Sequence, residues 1–274
     1  MLRITALMDN ASSGNPELLA EHGLSFYIEY NDLRLLFDCG QSGGFLHNAG
    51  ILGIHPEKCH AMVLSHSHYD HASGFRELCR LAPEGTLFTG PGFWEPKFAR
   101  KDGEFRDLSC GFGRDFLAEH NIRHRTITGA EEIFPGVWLI TGFPRIHPFE
   151  TIPERFVKQT PQGLVADDFG DEVCLALENG DSLTLIVGCS HPGILNITTH
   201  VVNTLGKPVR ALFGGTHLVE AEPARILATL EGLTRLGVQT IGMSHCSGQT
   251  AEEMIRIANI RGCHLKAGDS ITLT

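Results

Sequence analysis

The stretch AMVLSHSHYDHASG, residues 61–74, decides how this chain reads. An apolar run, Ala61–Leu64, gives way to His66, His68, Asp70 and His71 within six positions. A short buried strand ending at the edge of its sheet has this pattern. Side chains alternate along an extended chain, so His66 and His68 are expected on one side, where two imidazoles can grip one cation. Asp70 and His71 follow as the chain turns toward a helix start at Ser73-Gly74, placed to hold a second cation nearby. Sets of His and Asp suit Zn, Fe or Mn, with Zn–N bonds of about 2.0–2.1 Å. The competing reading is a polar loop that is His-rich by chance; three His and one Asp at a strand end weigh against it.

Four adjacent residues do not close such a centre, so other strand ends must contribute. Three candidates repeat one pattern of strand, small residues and His: IVGCSH with His191, LFGGTH with His217 and IGMSH with His245. Small residues let backbones crowd close to an ion. His191 and His245 are read as ligands. His217 is read as a ligand, a residue behind the ligands or a substrate contact. Asp38, closing LRLLFDCG, is expected to orient a ligand His. His22, in EHGLS ahead of a strand, stands out among the remaining histidines; the others default to surface or capping roles. Of the eight Cys, six read as small, reduced, buried residues; Cys189 and Cys246 differ because each neighbours a His at a strand end.

The rest of the composition bounds the function. The 274 residues suit one large domain or two small ones, and 42% hydrophobic with 20% charged residues is ordinary for a folded protein. A net charge of −10 with no basic run opposes general nucleic-acid binding. No run approaches the roughly 18 apolar residues of a membrane span. The start, MLRITALMDN, lacks the apolar core of a secretory signal and reads as a strand. The expected setting is therefore the cytoplasm. The expected partner is a small-molecule substrate, with no nucleic acid and no membrane, and homo-oligomerisation is left open.

Short β-type runs recur from LRITALM to SITLT, bounded by Gly, Asn or Asp. FYIEY–ND–LRLLF and ALENG–DSLTLI read as hairpins. Residues 222–236 are predicted helical, with Ile226, Leu227, Leu230 and Leu233 as the apolar stripe. A second helix is expected over 250–261, opened by a Thr250/Glu253 capping box. A third spans 192–205 with Pro192 at its first position; weaker helices fall at 74–81, 112–120 and 44–52. The halves share a style, hairpins first and then strand–helix units, which fits two sheets with helices outside. The chain is expected to form a single domain, 1–274, with lid-like insertions near 91–111 and 143–171, the least regular parts.

With these residues in view, LSHSHYDHASG resembles the H-x-H-x-D-H signature of the metallo-β-lactamase fold. The segments EHGLS, TGFPR, GCSHPGI, GGTHL and SHCSG, in this order, are similar to one branch of it. That branch comprises the 7,8-dihydropterin-6-methyl-4-(β-D-ribofuranosyl)aminobenzene-5′-phosphate synthases and related metal-dependent hydrolases. The resemblance implies an α/β fold, an αββα sandwich over nearly the whole chain. It also implies one or two divalent transition metals, most simply Zn with Fe or Mn as alternatives. His66, His68, Asp70 and His71 match the signature, and His245 matches the branch's final His. Two departures stand. The third His of the wider fold, usually in P-G-H-T, is not visible. Where a G-D strand end usually supplies a bridging Asp, this chain reads G-C-S-H; either Cys189 takes that place or His191 completes the first site. Asp167, Asp168 and Asp171 precede the strand and are further carboxylate candidates.

The resemblance implies metal-dependent hydrolase or transferase chemistry on a small substrate, phosphorylated or pterin-like, with Asp70 and His191 as catalytic candidates. The synthase reaction joins an arylamine to a pterin with loss of pyrophosphate. Phosphate recognition is expected from Arg145, Arg155 and Lys158 and from the helix starts after Gly193 and Gly248. The alternative class is a non-catalytic metal-binding ligand sensor on the same fold.

Overall fold

The computed structural model describes residues 1–274 except 257, 259 and 274. Two compact units emerge: Met1–Thr126 with Pro153–Asp171 and Lys266–Thr274, and Ile127–Ile152 with Glu172–Leu265.

In the first unit, the hairpin predicted at Asn31-Asp32 forms. Tyr30 pairs with Leu33, and Asn31 adopts a left-handed φ of 53°, which Asn tolerates better than most residues. This hairpin sits in a seven-stranded sheet ordered Ser270–Leu273, Leu2–Met8, Ser25–Tyr30, Leu33–Phe37, Ala61–Val63, Thr86–Thr89, His124–Thr126. The first four strands run antiparallel and the rest join in parallel. Leu7, Leu36, Phe45, Met62, Phe75 and Leu87 build its core, with Phe45 and Phe75 contributed by the helices Gly44–Ile51 and Phe75–Cys79.

The second unit repeats the plan. Its seven strands run in the order Arg261–His264, Thr240–Met243, Val209–Gly214, Ser182–Val187, Val173–Asn179, Val137–Thr141, Ala130–Phe134. Three parallel pairs come first in that order, then three antiparallel pairs. The predicted hairpin closes with Asn179 opposite Ser182 and Gly180 at a φ of 60°. Crossover helices Ile194–Leu205 and Pro223–Arg235 cover the parallel strands, burying Ile194, Ile197, Val201, Ile226, Leu230 and Leu233 with Leu185 and Val187.

Several expectations need correcting. The stretches expected to be irregular, 91–111 and 143–171, hold a four-stranded antiparallel sheet: Gly163–Ala166, Phe156–Thr160, Lys97–Lys101, Glu104–Asp107. Its strands are short and largely exposed, and two of them are highly charged, so no alternating apolar pattern announces them. The Asp102-Gly103 turn, with both φ values positive, is a hairpin signal the reading overlooked. Leu227 is 43% exposed: at about 100° per residue it lies off the stripe centred on Ile226, Leu230 and Leu233. The last long helix begins at Gln249, so Thr250 is inside it rather than capping it; Gln249 Nε2 instead donates to Glu253 Oε1 at 2.8 Å. That helix is described over Gln249–Met254; of the expected span 250–261, residues 257 and 259 lie outside the described residues, as does Thr274 of the expected run SITLT.

Pro192 likewise precedes its helix, which starts at Ile194 behind Gly193, φ 99°. The exposed N–H groups there are taken by Glu150, whose Oε1 and Oε2 accept from Leu195 N at 2.9 Å and Asn196 N at 2.7 Å. Only glycine fits at 193, since a Cβ there would lie 2.3 Å from Glu150 Oε2. Burial pushes the Glu150 carboxyl up to about 7, against the pull of the two amides.

Two outcomes check this packing. Leu230→Ala should cost about 2–5 kcal/mol in denaturant unfolding, and Leu227→Ala no more than about 0.5. Because the folded-state value of Glu150 is raised, its contribution to stability is complete below its ordinary 4.5 and lost as pH rises through about 7. Thermal melts should therefore show wild type losing more stability than Glu150→Gln between about pH 5 and about pH 8; equal slopes would contradict the burial of this carboxyl.

Candidate metal centre

The strand Ala61–Val63 is only three residues long, so His66 and His68 lie just past its end rather than on it. They remain neighbours, with ring centroids 4.7 Å apart, and His71 sits 4.3 Å from His66. Asp70 and His71 ride on the one-turn helix Tyr69–Ala72, which starts four residues before the expected Ser73. Asp70 Oδ2 lies 3.9 Å from His71 Nε2 and 3.1 Å from His22 Nε2. Thus the first unit brings His22, His66, His68, Asp70 and His71 into one cluster, all but His22 buried.

Asp38 organises that cluster. It is fully buried at the end of Leu33–Phe37, with a φ of 60°. Ser65 N donates to its Oδ1 at 2.7 Å, and Ser65 Oγ donates to its Oδ2 at 2.8 Å. His71 Nδ1 donates to Oδ2 at 2.6 Å. Ser65 has one hydroxyl hydrogen and gives it to Asp38. His66 Nδ1, 2.9 Å from the same hydroxyl, must therefore be the donor in that contact. Both rings then carry their hydrogen on Nδ1 and present a lone pair at Nε2, the tautomer a metal ligand needs. Burial, with His71 and His68 close by, holds the His66 pKa well below the usual imidazole range, which keeps the ring neutral. This donor set fits a divalent transition metal.

The second unit assembles its own donors at the ends of parallel strands. Glu172, 1% exposed, accepts from Ser190 N at 2.6 Å and His191 N at 3.0 Å, and so fixes the turn that carries His191. Ser190, φ 60°, donates from Oγ to Gly215 O at 2.7 Å. His217 and His245 also hold positive φ, 49° and 53°. Left-handed backbone at non-glycine residues is strained and concentrates at working sites. The small residues are needed: a Cβ on Gly215 would lie 2.6 Å from both Gly188 O and Cys246 Sγ. His191 and His217 rings are 4.4 Å apart, and Cys189 Sγ lies within 4.8 Å of a donor nitrogen of His191 and of His245.

Other candidates are placed differently from expectation. Asp167 and Asp171 face Lys97, whose Nζ lies 3.1 Å from Asp167 Oδ2 and 2.5 Å from Asp171 Oδ1. Asp168 pairs with Lys158 at 2.8 Å. All three carboxylate candidates are thus engaged by lysines. Lys158 also pairs with Glu95 at 3.0 Å, so its expected phosphate role competes with two carboxylates. Arg145 Nη1 donates to Pro192 O at 2.6 Å, bracing the turn after His191, and Arg155 lies over the Phe156 ring at 4.4 Å. The helix start after Gly193 is occupied by Glu150, which removes it as a phosphate cradle. Lys97, Glu150 and Glu172 were missed by the sequence reading; each is one charge among neighbouring charges, and only the fold buries it. Among the described residues no helix is long and apolar enough to cross a membrane.

Comparison with known proteins follows this geometry. The family described as the metallo-beta-lactamase superfamily matches residues 19–87. A 7,8-dihydropterin-6-methyl-4-(beta-D-ribofuranosyl)-aminobenzene-5′-phosphate synthase from Methanocaldococcus jannaschii is 30% identical over 92% of this chain and 90% of its own. A crystal structure of a metal-dependent hydrolase of the β-lactamase superfamily superposes with a TM-score of 0.85 at 24% identity, covering 100% of both chains. Zn²⁺-bound PqqB from Methylobacterium extorquens gives a TM-score of 0.60 at 12% identity, covering 99% of this chain and 100% of that one. The last two show the fold, and the α/β class inferred from the sequence holds. The full-length match to the synthase, with the ordered His and Asp cluster, shows that the chain belongs to the metallo-β-lactamase superfamily, in the branch that contains that synthase.

Proposed function

We propose that the chain is a metal-dependent enzyme, a hydrolase or transferase, acting on a small phosphorylated or pterin-like substrate. The observation that carries this is the Asp38–Ser65 network, which turns the Nε2 lone pairs of His66 and His71 away from Asp38. His66, His68, Asp70 and His71 are proposed as ligands, with His191 and His245 as further ligands and Cys189 and His217 as supporting donors. One or two ions, Zn before Fe or Mn, suit this mixture of imidazole, carboxylate and thiol.

A bound divalent ion supplies Lewis acidity and lowers the pKa of coordinated water from about 15.7 to about 7. The chain's own residues do the rest. Asp38 and Glu172 hold the ligand turns rigid, so ligand positions need not reorganise during reaction. Asp70, beside His22, and His191, beside His217, are proposed as the catalytic residues, each holding a proton only at the carboxylate oxygen or ring nitrogen that is not given to an ion. The curated relative is a synthase that works on a pterin, which favours a pterin-like substrate here. The solved relative described as a hydrolase keeps ester and phosphoester cleavage in the proposal.

Metal analysis of the purified protein should find at least one transition metal per chain. A His66→Ala/His68→Ala double variant should lose it while keeping its circular dichroism spectrum; full retention of metal would sink the ligand assignment. Assays should pair phosphoester hydrolysis with condensation of an arylamine and a pterin pyrophosphate. Turnover in either should disappear in His245→Ala with the fold intact. A metal-loaded wild type with no turnover in any assay would point instead to a ligand sensor.

A further inference from the structure

Lys97 is 1% exposed, and the sequence offers no hint that it should be. Burying an ammonium is costly unless carboxylates meet it. Here two do, at 2.5 and 3.1 Å, from a segment some seventy residues away. Those carboxylates are also bonded elsewhere. Asp171 Oδ2, the oxygen not facing Lys97, accepts from Ser67 N at 2.9 Å. Ser67 is the residue between His66 and His68. Asp167 Oδ1 accepts from Phe169 N at 2.8 Å. The Phe169 ring lies under Lys97 Nζ at 4.5 Å and meets the edges of His66 and His68 at centroid distances of 6.2 and 5.3 Å.

The backbone around Lys97 reaches the same loop. Lys97 O accepts from Leu108 N at 2.8 Å, Leu108 O accepts from Tyr69 N at 2.8 Å, and Ser109 bridges to His68. Cation, carboxylate and aromatic ring thus all bear on the three residues His66-Ser67-His68. Close packing leaves them no slack: a Cβ on Gly90 would lie 2.1 Å from Asp171 O.

We propose that Lys97 is a positioning residue for the metal centre: by pinning Asp171 it anchors the Ser67 amide and so sets where the His66 and His68 rings stand. The proposal rests on the metal reading above and adds a residue outside the ligand set. Lys97, buried at 1% exposure, is shielded from a substrate. It acts through Asp171, while Asp167, 3.1 Å from the same ammonium, seats Phe169 against both imidazoles. An altered Lys97 would leave all ligands present but misplaced.

The test compares divalent-cation affinity and the Co²⁺ ligand-field spectrum in wild type, Lys97→Met, Asp171→Asn and Lys207→Met. Loss of an orienting residue behind ligands typically costs 10–100-fold in metal affinity. Lys97→Met and Asp171→Asn should each show that loss of Co²⁺ and Zn²⁺ affinity with altered Co²⁺ absorption. Lys207→Met, a lysine of the second unit paired with Glu178 at 2.6 Å, should match wild type. Lys97→Met leaves two buried carboxylates without a cation. If it fails to fold, Asp171→Asn carries the test, because Lys97 keeps Asp167 there and one cation then meets one carboxylate. Wild-type affinity and an unchanged Co²⁺ spectrum in folded Asp171→Asn would overturn the proposal. A wild type that binds neither ion would overturn the metal reading itself, and this inference with it.

Discussion

The contact on which the site depends is the buried carboxylate of Asp38. It collects three hydrogens, from the Ser65 amide, the Ser65 hydroxyl and His71 Nδ1. Each buried polar group left without a partner would cost about 1–3 kcal/mol, so the three donors and the carboxylate hold one another in place. The backbone is tied at the same point: Asp38 N donates to Val63 O, and Cys39 N donates to His71 O. A left-handed φ of 60° is the conformational cost of turning the chain there. From this knot follow the tautomers of His66 and His71, and with them the capacity to bind a metal.

The second unit solves the same problem with other residues. Glu172 grips two consecutive amides from behind, and Ser190 ties the turn to the neighbouring strand end. In both units the chemistry-bearing residues follow strands with a parallel neighbour, at their carboxyl ends. Crossover helices leave those ends clear, and the loops there are free to carry function. Strain gathers in the same places, at Asp38, Ser190, His217 and His245, each just past the end of a strand. The fold thus separates two tasks: apolar strands and helices provide rigidity, and their exits provide donors.

Much of this could be read directly. Apolar runs ended by Gly-Cys-Ser-His, Gly-Gly-Thr-His and Met-Ser-His marked strand ends bearing imidazoles, because burial demands an unbroken apolar segment and a metal demands donors at its exit. The two hairpin turns announced themselves through Asn and Gly. The small sheet built on Lys97–Lys101 and Phe156–Thr160 was illegible, since exposed charged strands carry no periodic signal. The lysine pairing of the Asp167–Asp171 stretch was hidden for a different reason. The cation that meets Asp167 and Asp171 comes from some seventy residues away, and no local pattern announces it.

Sequence alone determined the superfamily, the strand–His pattern and the residue types available to a metal, because those depend on local periodicity and donor chemistry. Tertiary structure alone decided which charges are partners rather than ligands: Lys97 with Asp171, Glu150 with a helix start, Glu172 with the His191 turn. Such pairings join segments tens of residues apart. Their energy comes from desolvation and close hydrogen bonding, which exist only once the chain has folded.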